Sequence, residues 1–236
     1  MRVFAIADLH MDGGAGKPMD LFGPQWTGHV EKVFSSWREQ VSPEDCVLVA
    51  GDISWAMYLK DAADDLMAIS SLPGRKILIR GNHDYWWSSV TRIRAMLPEG
   101  MHVLQNDALD LGDMVVCGSR GWKFPGGDEE LNAEDEKIYE RELIRMELSL
   151  KAGRALAGER TLVAMMHYPP LNRSIRESGF TRLMQSYSVD TCVYGHLHGQ
   201  AIASGFTGIQ DGVRYVLSSC DALGFVPTKI FDFEKK

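Results

Sequence analysis

Short polar clusters follow the apolar runs of this chain, and this arrangement constrains the fold more than any other feature of the sequence. The apolar runs are rich in β-branched residues and are bounded by Gly, Pro or Asp. Runs of this kind are typical of strands buried on both faces. Because the strands of one sheet usually present functional groups at their carboxyl ends, we expect five segments that are distant in sequence to meet at one rim. The clusters are Asp8-Leu9-His10, Gly51-Asp52, Gly81-Asn82-His83-Asp84, His167 and Gly195-His196-Leu197-His198.

The residue types in these clusters point to a metal site. Five of the seven histidines fall inside them, together with an asparagine and the aspartates Asp8 and Asp52. These nitrogen and oxygen donors suit hard or borderline metals. Taken singly, an Asp here is typical of a turn or a helix cap, and a His is typical of a core or a loop. The complete, ordered set favours a metal centre and hydrolysis, whereas His29 and His102 keep the ordinary structural interpretation.

In order, the clusters match the pattern D-x-H, G-D, G-N-H-D/E, a single H and G-H-x-H. This set resembles the calcineurin-like metallophosphoesterase family, and the resemblance runs from Asp8 to His198. Periodicity alone predicts only an α/β protein. The resemblance implies a four-layer α/β/β/α sandwich of two mixed β-sheets flanked by helices. A length of 236 residues without a linker or an internal repeat predicts a single domain over residues 1–236.

The resemblance also implies two divalent or mixed-valence metal ions bridged by Asp52. Two ions about 3.5–4 Å apart would neutralise the charge of a phosphate ester, and a metal-bridging hydroxide would be the nucleophile. Mn, Fe, Zn and Co all tolerate this donor set, so the identity of the metals stays open. The other implied ligands are Asp8, His10 and His198 on the first ion, and Asn82, His167 and His196 on the second.

Two residues of the third cluster are assigned to catalysis by the same resemblance. His83 would serve the leaving group as proton donor or transition-state stabiliser, and the pKa of a histidine lies near working pH. Asp84 would hold the imidazole of His83 by a hydrogen bond and favour its charged form.

The implied activity is that of a metal-dependent phosphoric ester hydrolase. A small phosphomonoester, phosphodiester or nucleotide is the favoured substrate class, and the alternatives are a nuclease, a protein phosphatase or a non-catalytic metal-binding scaffold. Against a protein phosphatase, Asp52 is followed by Ile53-Ser54-Trp55 in place of that branch's valine-aspartate-arginine-glycine run. Against a scaffold, the chain lacks none of the ligands that non-catalytic members tend to lose.

Composition narrows the substrate classes and the cellular location that we expect. A net charge of −7 without a Lys/Arg cluster argues against a broad nucleic-acid footprint, although a nucleotide or a short oligonucleotide is still compatible. No apolar stretch approaches the roughly 20 residues that a membrane helix needs. The first residues enter a core strand at once, so we expect no signal peptide. The four cysteines show no C-x-x-C pairing and predict reduced core thiols in a cytoplasmic protein.

One segment between the clusters stays open to two interpretations. Asn132 resembles an N-cap, and apolar residues then recur at helical spacing until Lys151 and Gly153. The simpler interpretation is a surface helix that covers a sheet. The alternative makes the preceding loop, residues 120–127, a wall of the substrate site, because it carries an arginine, two aromatic residues and glycines. Tyr85, Trp86 and Trp122 are the best candidates for stacking on a flat substrate group.

Overall fold

A computed structural model describes residues 1–127 and 130–233 of the chain. The chain divides into two compact units, one formed by Met1–Val103 with the segment from Ser218, and one formed by Leu104–Leu217. The strands, numbered in chain order, are β1 Arg2–Ile6, β2 Cys46–Val49, β3 Arg75–Leu78, β4 Met101–Val103, β5 Ala108–Asp110, β6 Met114–Ser119, β7 Thr161–Met166, β8 Thr191–Tyr194, β9 Gly208–Gln210, β10 Val213–Leu217 and β11 Thr228–Asp232.

Five α-helices and three short 3-10 helices complete the described part of the chain. The 3-10 helices span Met19–Phe22, Pro24–Trp26 and Gly199–Ser204. The α-helices are α1 His29–Gln40, α2 Ala63–Ser70, α3 Val90–Met96, α4 Ala133–Ala157 and α5 Gly179–Ser186. Within the described ranges, no helix combines the length with the apolar character that crossing a bilayer requires.

The first unit contains a five-stranded sheet in the order β11-β1-β2-β3-β4. Strands β1 to β4 are parallel, and β11 pairs antiparallel with β1. All four residues of β2 are buried, which explains its uninterrupted apolar sequence. Because β1, β2 and β3 are parallel, the clusters that follow them emerge at the same edge of this sheet.

The second unit contains a six-stranded sheet in the order β5-β6-β7-β8-β10-β9. The four central strands are parallel, while β5 and β9 run antiparallel at the edges. The neighbouring strands β7 and β8 end immediately before His167 and Gly195. The prediction of two mixed sheets is confirmed, and a single domain over residues 1–236 stays a prediction.

Helix α4 begins where the sequence predicts and ends later. The side chain of Asn132 accepts hydrogen bonds from the backbone N–H groups of Glu134 and Asp135, which caps the helix. Gly153 does not end the helix but lies within it, where a Cβ atom would come within 2.9 Å of a methyl carbon of Leu162 and 3.1 Å of Cβ of Cys117. The glycine therefore serves close helix–sheet packing, and α4 continues to Ala157.

The four cysteines are buried and form no disulfide, as predicted. Burial raises the pKa of the Cys46 and Cys117 thiols to about 12. Thiols of this kind are inert packing groups.

Candidate metal centre

Three predicted ligands of the first unit form one buried group beyond β1 and β2. The side chains of Asp8, His10 and Asp52 are at most 3% exposed. Asp8 offers a carboxylate oxygen within 4.8 Å of a ligand atom of His10 and within the same distance of one of Asp52. The Nε2 atom of His10 lies 3.7 Å from Oδ2 of Asp52. Two carboxylates buried this close together repel each other, so the donor set fits a bound cation.

The backbone at these ligands adopts a conformation that residues other than glycine rarely take. Positive φ angles occur at Asp8 (62°), His10 (43°) and Asp52 (50°), and in the second unit at His196 (75°). These four account for half of the eight non-glycine residues with positive φ in the described ranges. Each such residue costs on the order of 1–3 kcal/mol, and strain of this kind clusters at functional sites.

The first two clusters are held side by side by the backbone. Asp8 donates its N–H to the carbonyl of Gly51 at 2.9 Å, and His10 donates to the carbonyl of Asp52 at 3.0 Å. These bonds continue the parallel pairing of β1 with β2 beyond the strand ends. His29 has only an ordinary structural role by sequence. In the structure, its Nε2 atom forms a hydrogen bond with the carbonyl of Leu9 at 2.9 Å and so helps to hold the turn between Asp8 and His10. No signal in the sequence links His29 to the ligand turn.

The third cluster closes against Asp52. The backbone N–H of His83 donates to Oδ1 of Asp52 at 2.8 Å. Gly81 lies so near that a Cβ atom there would overlap both the carboxylate and the backbone nitrogen of Asp52. The G-N-H-D element therefore requires a glycine at its first position, because the backbone there passes too close to Asp52 for any side chain.

Asp84 ties the second and third clusters together. Its carboxylate is fully buried. Oδ1 accepts hydrogen bonds from the N–H groups of Ile53 at 2.8 Å and Ser54 at 3.2 Å. Oδ1 also accepts from the indole of Trp86 at 3.0 Å, and Oδ2 accepts from the N–H of Gly81 at 2.7 Å. With four donors on its carboxylate, Asp84 links the backbone of the second cluster to that of the third. The predicted bond from Asp84 to the imidazole of His83 stays a prediction.

This arrangement predicts that Asp84→Asn destabilises the fold. Asparagine keeps the shape but replaces one carboxylate oxygen with an NH₂ group, which would face a backbone donor. An unsatisfied buried donor costs about 1–3 kcal/mol, so we expect a loss of that size in the free energy of unfolding. Denaturant unfolding at fixed metal concentration measures it, with the exposed Asp113→Asn as control. Equal stability of the two variants would contradict a stabilising role for the Asp84 carboxylate.

The imidazole of His83 lies among aromatic rings. Its centroid is 4.5 Å from the Trp55 ring and 6.2 Å from the Tyr85 ring. Trp55 in turn stacks on His10 at 4.8 Å, and Lys17 places its Nζ 4.5 Å from the Trp55 ring centroid. Tyr85 is 48% exposed beside His83 and stays a candidate for stacking on a substrate.

The burial of Trp86 excludes it from stacking on a substrate. The side chain is 1% exposed and its indole N–H is used by Asp84. It therefore packs in the core of the first unit.

Two predicted ligands of the second unit are neighbours. Nδ1 of His196 lies 3.3 Å from Nε2 of His167, and His167 is fully buried. Gly195 donates its N–H to the carbonyl of His167 at 3.1 Å, which sets the two turns in register. His198 follows as the N-cap of the 3-10 helix Gly199–Ser204. Adjacent imidazole nitrogens of this kind fit binding to a common cation.

An ion pair below this turn was not foreseen from the sequence. The carbonyl of Arg120 accepts the N–H groups of both His167 and Tyr168. The guanidinium of Arg120 lies 3.3 Å from the carboxylate of Glu142, which is 1% exposed and also pairs with Arg145 at 2.7 Å. The position of Glu142 on helix α4 carries no sequence signal of this role, because surface helices normally contain glutamates.

A family model described as calcineurin-like phosphoesterase matches residues 1–200. The chain belongs to the calcineurin-like phosphoesterase family. Membership of this family agrees with the predicted activity of a metal-dependent phosphoric ester hydrolase. The Gene 66 protein of Mycobacterium phage D29 is 32% identical to this phosphoesterase over 122 residues. That match covers 43% of this chain and 59% of the phage protein.

Solved structures share the fold of this phosphoesterase. A protein of unknown function, AQ665 from Aquifex aeolicus, is 14% identical with a TM-score of 0.54, covering 97% of this chain and 95% of that one. Phosphopantetheinyl hydrolase from Mycobacterium tuberculosis is 20% identical with a TM-score of 0.53, covering 92% and 88%. At these identities the likeness concerns the fold alone. It confirms the predicted α/β class with two mixed sheets flanked by helices.

Proposed function

We propose that this phosphoesterase hydrolyses a small phosphomonoester, phosphodiester or nucleotide with the help of two divalent or mixed-valence metal ions. The observation that carries the proposal is the buried group of Asp8, His10 and Asp52, whose donors suit cations and whose backbones are strained. When bound, the ions supply neutralisation of the phosphate charge and an activated water at neutral pH. The proposed ligands are Asp8, His10, Asp52, Asn82, His167, His196 and His198.

The residues of the chain have distinct tasks in this proposal. Asp52 would supply a carboxylate shared by the metal ions, and this carboxylate is oriented by the N–H of His83 at 2.8 Å. Asp8 and Asp52 together bring two negative charges against four from two divalent ions. The loaded site would therefore be cationic and would attract a phosphate, although the chain carries a net charge of −7.

His83 is proposed to donate a proton to the leaving group. Its backbone is anchored to Asp52 and its ring packs against Trp55, so the imidazole is held in place before substrate binds. A positioned acid of this kind stabilises the transition state when the leaving oxygen is basic. Asp84 keeps the turn closed through its bonds to Gly81 and Ile53.

Four buried thiols without a disulfide support a cytoplasmic location for this enzyme. The net negative charge supports a small substrate over a long nucleic acid. A nuclease, a protein phosphatase and a non-catalytic scaffold are the competing functions that an activity assay separates.

We expect hydrolysis of nitrophenyl phosphate mono- or diesters after loading with Mn, Fe, Zn or Co, and loss of the activity on chelation. Chelation should also lower the melting temperature, because a metal that binds only the folded protein stabilises it by about 2.7 kcal/mol at one hundred times its Kd. Added Mn should restore both properties. Activity or a melting curve that survives verified metal removal would contradict the proposal. Faster turnover of single-stranded DNA or a phosphopeptide would favour the alternatives.

A further inference from the structure

A cavity of about 180 Å³ in the second unit adjoins His196. Most of its lining is apolar. An apolar cavity of about 150 Å³ is known to hold benzene, so this volume suits one six-membered ring. Its lining includes Lys123, Phe124, Tyr168, Leu197 and Ala201.

Tyr168 connects the cavity to the proposed metal ligand. Its ring centroid lies 4.1 Å from that of His196 and 4.9 Å from that of Trp122. Tyr168 is 5% exposed, and Phe124 and Leu197 are 4% and 7% exposed. A flat group that enters the cavity would therefore meet aromatic and aliphatic faces, which is the environment that aromatic rings prefer.

The wall formed by residues 120–127 is held in place before any ligand binds. The indole N–H of Trp122 donates to Oδ1 of Asp135 at 3.0 Å, at the start of helix α4. The guanidinium of Arg120 lies 4.6 Å from the Trp122 ring centroid. The N–H of Gly127 donates to the carbonyl of Phe124 at 3.0 Å and closes the turn. A preformed wall reduces the entropy lost when a ligand binds.

We propose that this cavity receives the ester group of the substrate, and that the preferred substrate carries an uncharged, ring-sized apolar group next to its phosphate. The proposal rests on the function proposed above, because it places the phosphoryl group beside His196. A charged ester group would lose hydration on entering this largely apolar lining, which disfavours it. The loop 120–127 is thus assigned to specificity.

The test compares esters that differ only in this group. Benzyl phosphate and ethyl phosphate form one pair, and their methyl diesters form a second pair, so that either ester class is covered. The wild-type enzyme loaded with Mn should prefer the benzyl member by about tenfold or more in kcat/KM. Ala201→Trp places an indole in the cavity and should remove the preference. Ala203→Trp on the same 3-10 helix is the matched control, because Ala203 is also exposed and should keep it.

The outcomes separate the two proposals. No benzyl preference in the wild type, or a preference retained in Ala201→Trp, would overturn the cavity assignment. If Ala201→Trp does not fold, Ala201→Leu takes its place with the same criteria. If the wild type hydrolyses none of the four esters, calorimetry with benzylphosphonate and ethylphosphonate decides the cavity alone. The proposed function fails only if the nitrophenyl phosphate esters are not hydrolysed either. Tighter binding of the benzyl compound, lost in the Ala201 variant, would support the assignment.

Discussion

Asp52→Asn should release metal from the protein and lower kcat/KM for a phosphate ester by about 10³-fold or more. The amide is nearly isosteric with the carboxylate, but it removes the negative charge proposed to bridge both ions. Metal-derived stabilisation of the transition state amounts to several kcal/mol, and each 1.36 kcal/mol corresponds to about tenfold in rate. The bond from the N–H of His83 can still form to the amide oxygen, so the fold should persist.

Elemental analysis and steady-state kinetics measure the two effects together. Asp61→Asn is the control, because Asp61 is exposed on the segment that follows Asp52. The control should bind as much metal as the wild type. Two ions retained at full occupancy in Asp52→Asn would remove Asp52 from the bridging position.

His83→Ala should slow turnover by about 10²–10⁴-fold while both metals stay bound, because a general acid typically contributes that much. The loss should depend on the leaving group. A nitrophenyl ester needs little protonation and should lose less than an alkyl ester, whose leaving oxygen is strongly basic. Rates on both esters, with metal content measured in parallel, give the result.

The control for His83 is His102→Ala, since His102 lies on strand β4 at the edge of the sheet and outside the five clusters. The His102→Ala variant should hydrolyse the nitrophenyl ester and the alkyl ester at the wild-type rates. Equal losses on the two esters in His83→Ala would argue against proton donation. Loss of metal in that variant would instead make His83 a ligand.

The order of the clusters and their places at strand ends were readable from the sequence. Apolar runs of four to six residues fold as strands because burial on both faces selects β-branched residues, and the polar group after each run then emerges at the strand end. Asp8 after β1, Asp52 after β2 and His167 after β7 follow this rule. The family could be recognised for the same reason, since its pattern consists of such strand-end residues.

Contacts within the site required the tertiary structure. Asp84 bonds to backbone groups 30 and 31 residues earlier, and no local pattern reports a bond of that separation. The bond from Asp84 to the imidazole of His83, expected from the family resemblance, stays a prediction beside these backbone contacts. The sequence also gave no sign of the supporting roles of His29 and Glu142, because each bonds to a residue at least 20 positions away.

The sequence by itself therefore determined the order of the clusters and, through the family resemblance, the expected reaction class, because metal and phosphate chemistry restrict which side chains can serve. Only the tertiary structure decided how the turns are held, where Gly153 packs and why Trp86 is core. It also decided that Tyr168 borders both His196 and the cavity. These features depend on which surfaces meet when the strands and helices pack, and packing partners are chosen by shape and burial across the whole unit.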